Sequence, residues 1–181
     1  MSVGRIFAVV GPSGAGKDTL MAAAQAAIPG LHLVRRVITR PEAAGGEPFE
    51  GVGEAEFQRR ERAGGFALHW RAHGLAYGIP ASVRETMASG GDVIFNGSRA
   101  MLDAAALAFP GLRVIHVTAR PEVLARRLAA RGRESAGQIA GRLARAVPPI
   151  PAGVPVTEID NSDALEDAER AFIAAVQPEK V

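Results

Sequence analysis

Apolar residues in this chain follow two rhythms, short continuous runs that suit buried strands and longer stretches of helical spacing, and these alternate along most of its length. Ile6–Val10 is the first run, predicted a strand, and a helix follows from about Lys17 to Ala27, stopped by Pro29-Gly30. A second strand is expected over about Leu31–Ile38. Between 41 and 80 the rhythm breaks: Pro41 and paired glycines lead to a charged helix near Glu54–Ala63, then a short strand over Phe66–Trp70 and a turn at Ala76-Tyr77-Gly78. We read this stretch as an inserted subdomain. The alternation resumes with a helix over about Pro80–Ser89, a strand Asp92–Asn96, a helix near Ser98–Phe109, a strand Leu112–Thr118 and a helix from Pro121 to about Arg131. Pro121 suits a first helical turn. A polar break, Arg131-Gly132-Arg133-Glu134-Ser135, fits a lid over about 131–138. A helix over about Gln138–Val147 is closed by Pro148-Pro149-Ile150-Pro151, and a strand Val154–Ile159 and a helix Ser162–Val176 complete the pattern. Strands alternating with helices predict βαβ units, hence an α/β three-layer sandwich around a five-stranded parallel sheet.

The length of 181 residues suits one domain, with a core over 1–40 and 81–181, and 48% hydrophobic residues suffice to bury it. Charge adds little: 21 Lys+Arg face 19 Asp+Glu, with no basic tail and no aromatic-studded basic stretch, so nucleic acid is not an expected partner. The absence of cysteine excludes disulfides, thiolate metal sites and Cys nucleophiles. Met1 to Arg5 runs directly into the first strand without an apolar leader, and no segment reaches the roughly 18–20 apolar residues of a membrane helix, so a cytoplasmic location is expected. Lysine occurs only at 17 and 180.

That single internal lysine lies in Gly11-Pro12-Ser13-Gly14-Ala15-Gly16-Lys17, between a strand and a helix start, the context of a Walker A loop. The glycines let successive backbone N–H groups converge on phosphate oxygens, the helix N-terminus adds its positive end, and Lys17 reaches the β- and γ-phosphates. An ATP site is therefore expected over Gly11–Lys17 with Asp18 and Thr19. Asp18 stands where a Ser or Thr hydroxyl usually touches Mg²⁺, so it becomes the candidate metal residue. The acidic residue expected at a neighbouring strand end is missing, since Asp92–Phe95 runs into Asn96-Gly97-Ser98-Arg99. One carboxylate moved from strand to loop would reconcile the two departures.

Loop Gly11–Lys17, Ile38-Thr39-Arg40-Pro41, Gly46-Glu47, Phe57, Phe66, Ala76-Tyr77-Gly78, Arg127-Leu128-Ala129-Ala130-Arg131-Gly132 and Ile139-Ala140-Gly141-Arg142-Leu143 follow one another in the order seen in guanylate kinases, and the chain resembles that P-loop kinase family over nearly its whole length. The resemblance implies Mg-ATP as donor and arginines at Arg40, Arg131 and Arg142 on the acceptor phosphate or the transferring group. It also places an adenine-contacting loop near Asn161-Ser162. Departures bear on the acceptor. Leu68 replaces the glutamate that receives guanine hydrogen bonds, Asn96 and Ser98 replace two aspartates, Ala43 replaces an arginine, and a tyrosine near Gly53 is absent. Losing a buried acceptor weakens discrimination for guanine by orders of magnitude. Arg35-Arg36 and Arg99 add guanidinium forks suited to phosphate.

Val34-Arg35-Arg36-Val37-Ile38-Thr39-Arg40-Pro41, Phe66-Ala67-Leu68-His69-Trp70, Ala72 to Pro80 and Asn96-Gly97-Ser98-Arg99-Ala100 look like ribose 1,5-bisphosphate phosphokinases of phosphonate metabolism. This resemblance implies phosphoryl transfer to the 1-phosphate of ribose 1,5-bisphosphate, with Arg36, Arg40, Tyr77, Asn96 and Arg99 on the acceptor and Lys17, Arg131 and Arg142 in catalysis. Arg127 and Arg133 are secondary lid candidates, and His73, Asn96 and Ser98 could read ribose hydroxyls. Two other readings stay open: a nucleoside monophosphate kinase with unusual base recognition, and a catalytically dead module that binds protein partners. His69 and His73 carry no acidic partner at metal-ligand spacing, and Trp70 and Tyr77 are expected to pack within the subdomain. Nothing in the residues fixes the oligomeric state.

Overall fold

The computed structural model describes residues 2–177. Five strands, β1 (Ile6–Val10), β2 (His32–Leu33), β7 (Val93–Asn96), β8 (Leu112–Thr118) and β9 (Val156–Asp160), form a sheet in the order β2-β7-β1-β8-β9, every pair parallel. β1 is buried along its whole length because helices cover both faces. On one face Ala8, Val10, Phe95, Val114 and Leu102 pack together; on the other Phe7, Val9, Ile115, Leu20 and Phe172 do. Helices α1 (Lys17–Ala27), α4 (Leu102–Ala108), α5 (Pro121–Ala130) and α7 (Leu165–Val176) alternate with these strands. The α/β sandwich with a five-stranded parallel sheet is as the periodicity implied. No helix among the described residues is long and apolar enough to cross a membrane.

The stretch expected to be one strand over 31–38 is two. β2 stays in the large sheet, while β3 (Val37–Ile38) opens a second sheet in the order β4-β3-β6-β5, with β4 (Glu50–Gly51), β5 (Phe66–Ala72) and β6 (Leu75–Pro80). The expected turn at Ala76-Tyr77-Gly78 lies inside β6, which pairs antiparallel with β3 and β5. Pro80 ends that strand opposite Phe66, so the next helix, α3, begins only at Val83. Helix α2 (Glu54–Arg62) drops Phe57 onto Phe66, ring centroids 4.6 Å apart, which closes a small core with Val37 and Ala76.

Helix α6 (Ala136–Leu143) starts earlier than expected because Ser135 and Gln138 form a reciprocal cap, each side chain accepting from the other's backbone N–H. It stops short of Val147, ahead of Pro148-Pro149. The helix expected from Ser98 begins as a single 3₁₀ turn at Arg99–Met101 before α4, and β9 begins two residues later than the apolar pattern suggested.

Candidate active site

The phosphate loop leaves β1 at Gly11, whose φ of 154° sits against the Val117 carbonyl, where a Cβ would not fit. Gly16 (φ 91°) turns the chain into α1 against the Asn161 amide, again with no room for a side chain. Two long-range clamps hold this curve. Asn161, 2% exposed after β9, donates to the Ala15 carbonyl at 2.8 Å. Arg127 of α5 donates to the Gly14 carbonyl at 3.1 Å and to the Asn161 carbonyl at 2.7 Å. Arg127, read from sequence as a lid candidate, thus ties the loop to its neighbours. Within the loop the Ala15 N–H donates to the Pro12 carbonyl at 3.2 Å, which tightens the turn toward the helix start where an anion would sit.

Lys17 Nζ donates to the Gly11 carbonyl at 2.7 Å and the Pro12 carbonyl at 3.2 Å, folded back along the loop. Its desolvation, opposed by Asp18 and reinforced by Arg36 and Arg131, lowers its pKa to about 8. Ser13, Gly14, Gly16, Lys17, Asp18, Thr19, Asn96 and Arg131 line a cleft of about 200 Å³. So the structure brings together the loop, Asp18, Asn96 at the end of β7 and Arg131 at the end of α5. Asn96 Nδ2 donates to Asp18 Oδ1 at 3.2 Å. Strand end and loop are therefore direct neighbours at the two positions that depart from the guanylate kinase pattern.

On the facing side, Arg36 is 7% exposed and donates to Glu47. Its guanidinium lies 5.1 Å from the Tyr77 ring and 5.9 Å from the Trp70 ring, which are themselves stacked at 5.3 Å. Tyr77 thus meets Arg36 through its face. Burial lowers the Arg36 pKa to about 10, and its Nε is buried with no hydrogen-bond partner. Arg40 rests 4.4 Å over the Phe49 ring, donates to the Gly45 carbonyl, and borders a second hollow of about 470 Å³ with Thr39, Gly51, Gly53 and Gly74.

Two sequence-selected arginines are engaged elsewhere. Arg99 lies 2.7 Å from His116 Nε2 and 3.4 Å from the Pro148 carbonyl, which it bonds; His116 is buried in β8 and its Nδ1 meets Glu158 at 3.2 Å. Arg142 pairs with Glu134 at 2.6 Å inside the lid. His69 pairs with Glu61, and His73 takes the left-handed turn between β5 and β6, so neither joins a metal pair. Leu68 is 5% exposed within the main apolar core. The sequence pointed to no role for His116, marked Glu47 only as part of the Gly46-Glu47 pair, and gave Arg127 a different role from the loop clamp it forms.

A phosphate loop on a parallel sheet, a second small sheet between β2 and β7, and arginines at the end of α5 and in α6 define a P-loop kinase of the guanylate kinase fold. The crystal structure of guanylate kinase from Anaplasma phagocytophilum is similar at a TM-score of 0.69 and 20% identity, covering 98% of this chain and 88% of that one. A gluconokinase from Sinorhizobium meliloti 1021 is similar at 0.52 and 20% identity, over 96% of this chain and 92% of that one. No family model matches the chain. Ribose 1,5-bisphosphate phosphokinase PhnN from Ruegeria sp. (strain TM1040) is 52% identical over 178 residues, 98% of this chain and 94% of the relative. The protein of the same name from Agrobacterium fabrum is 49% identical, over 95% of this chain and 96% of the relative. The bifunctional ribose 1,5-bisphosphokinase-thymidine phosphorylase of Cupriavidus necator is 48% identical over 97% of this chain, which spans only 30% of that longer protein. The chain belongs to the ribose 1,5-bisphosphate phosphokinase family.

Proposed function

We propose that this protein transfers the γ-phosphoryl group of ATP to the 1-phosphate of ribose 1,5-bisphosphate, giving 5-phosphoribosyl 1-diphosphate and ADP. The observation that carries the choice of acceptor is the contrast between Leu68, sealed in the apolar core, and Arg36, a buried guanidinium with an unpartnered Nε. The first offers guanine nothing to bond, and the second offers a phosphate a desolvated cation.

The nucleophile is an anionic phosphate oxygen, so no general base is required and catalysis reduces to alignment and charge neutralisation. The bond from the γ-phosphorus to its bridging oxygen breaks as the acceptor oxygen bonds to that phosphorus, and ADP leaves with the electron pair. Lys17 leaves the Gly11 and Pro12 carbonyls for the phosphates, and a bound polyanion raises its pKa again. Arg131 already lines the cleft, and Arg142 exchanges Glu134 for the transferring group as the lid closes and excludes water. Mg²⁺, arriving with ATP, would spread the charge over the β- and γ-phosphates, with Asp18 as the residue to hold it directly or through water. The donor set fits such an ion: Asp18 supplies a carboxylate in the lining of the cleft, and Mg²⁺ bound with ATP takes its other ligands from waters and phosphate oxygens. Arg36, Arg40, Tyr77 and Asn96 form the acceptor side, and Arg99 shapes it from His116.

Steady-state ADP release with ribose 1,5-bisphosphate and with GMP tests this assignment. A preference for the sugar of about 10³-fold or more in kcat/KM is expected, in line with the cost of an unpaired base-reading group. A preference for GMP would replace it with the nucleotide kinase alternative.

A further inference from the structure

Glu47 lies between the two halves of the cleft, on the segment that follows Gly45 and Gly46, both at positive φ. Its side chain is 15% exposed. Oε1 accepts from Arg36 Nη2, and Oε2 lies 3.4 Å from Asn96 Nδ2. The same Asn96 amide donates to Asp18 Oδ1 at 3.2 Å. An amide NH₂ carries two hydrogens, so it serves both carboxylates at once. The result is a row of alternating donors and acceptors, Arg36, Glu47, Asn96 and Asp18, running from the foot of the small sheet to the first turn of α1.

The Tyr77 and Trp70 rings lie beside the Arg36 guanidinium, at 5.1 and 5.9 Å, but rings offer it no directional partner that would set its rotation. A carboxylate on Nη2 fixes that rotation and decides which edge of the fork, Nε included, is left for another anion. The carboxylate also balances a guanidinium that is almost wholly out of water. From these contacts, and resting on the function proposed above, we infer that Glu47 is a positioning residue for the phosphoryl acceptor. It orients Arg36 and, through Asn96, holds that guanidinium in register with the phosphate loop. Acceptor affinity is then set by a side chain that need not touch the acceptor, and the donor site depends on it little.

Trp70 is the one tryptophan of the chain and stacks on Tyr77 beside Arg36, so its emission reads this corner without turnover. The test compares wild type with Glu47→Ala, Glu47→Gln and the double variant E47A/N96A, measuring acceptor and ATP KM, thermal midpoint, and Trp70 emission on titration with ribose 1,5-bisphosphate without ATP. Glu47→Ala is expected to raise acceptor KM and the half-saturation of the emission change by about 30-fold or more, the lower end of the cost of truncating one partner of a buried charged pair. ATP KM stays within about twofold, Glu47→Gln recovers part of the loss by keeping an acceptor oxygen, and N96A, measured alone as well, costs less on the E47A background than in the wild type because the row is already cut there. If E47A does not fold, Glu47→Gln carries the same readout. An acceptor KM unchanged in both variants, with or without a lower thermal midpoint, overturns the inference, and a lowered KM does so too, because it would mean that the carboxylate competes with the acceptor phosphate. Failure of the functional assignment shows differently: wild type would not phosphorylate ribose 1,5-bisphosphate, and the emission titration with inorganic phosphate would then test Glu47 by itself.

Discussion

Around the phosphate loop, the curve is held by buried bonds from Asn161 and Arg127, which reach it from more than 100 residues away, and its lysine is already folded against it. Across the cleft, the cations that face the acceptor lie on aromatic rings or on carboxylates that an anion must compete with or work beside: Arg36 on Tyr77 and Glu47, Arg40 on Phe49, Arg142 on Glu134. The backbone of the phosphate loop is held by long-range bonds, while Lys17 and these arginines keep their charges on partners that a bound anion would replace or join. On the function proposed above, such an arrangement would admit ATP to a preformed loop and reserve side-chain rearrangement for the step that excludes water.

The sharpest way to break this contrast is Lys17→Ala, expected to lower kcat by about 10³-fold or more with the thermal midpoint little changed; near-normal turnover by phosphate-release assay would remove the loop from the mechanism. Next comes the lid. Arg142→Ala should cost about 10²-fold in kcat, whereas Glu134→Ala, which only frees Arg142, should stay within about threefold. Equal losses in single-turnover assays would show that the Glu134 pair is part of the closed state and not a parking place.

Arg127→Ala tests preassembly itself. Losing its bonds to the Gly14 and Asn161 carbonyls should raise the ATP dissociation constant by about tenfold, roughly the worth of a charge-assisted bond, while acceptor affinity measured through Trp70 stays put. Asn96→Asp would place a third carboxylate between Asp18 and Glu47 and remove both amide bonds, and a several-fold rise in acceptor KM is expected by kinetic titration.

The last effect is one of pH. The Lys17 pKa, lowered to about 8, means that ligand-free protein loses that proton between about pH 8 and the ordinary lysine value while the unfolded chain keeps it. Stability of the ligand-free form therefore gains from this group as pH rises through that window. ATP binding, which needs the ammonium, weakens by up to roughly tenfold per unit above pH 8. Calorimetric titrations between pH 7 and 9.5 check the slope; a flat profile would mean that Lys17 stays charged.

The donor half was legible because its signal is contiguous: strand, glycines, lysine and helix occupy Ile6–Ala27 without interruption. The acceptor half was not, because β3 pairs with β6 across nearly 40 residues, and Ala76-Tyr77-Gly78 read locally looks like a turn. The resting partner of Arg99 was hidden for a related reason. A basic residue after a strand end suggests a phosphate ligand, but a histidine buried in β8, invisible to local spacing, captures it. Glu47 escaped notice because its meaning lies in two partners, Arg36 and Asn96, that only the fold brings to the same carboxylate. The early start of α6, by contrast, was written in the S-x-x-Q spacing of Ser135 and Gln138.

The central claim is that the acceptor is a sugar bisphosphate phosphorylated on its anomeric phosphate. ³¹P NMR of the purified protein with Mg-ATP and ribose 1,5-bisphosphate should show the 1-phosphate resonance replaced by the coupled pair of a sugar diphosphate as ADP accumulates. An unchanged sugar spectrum, with GMP converted to GDP under the same conditions, would contradict it.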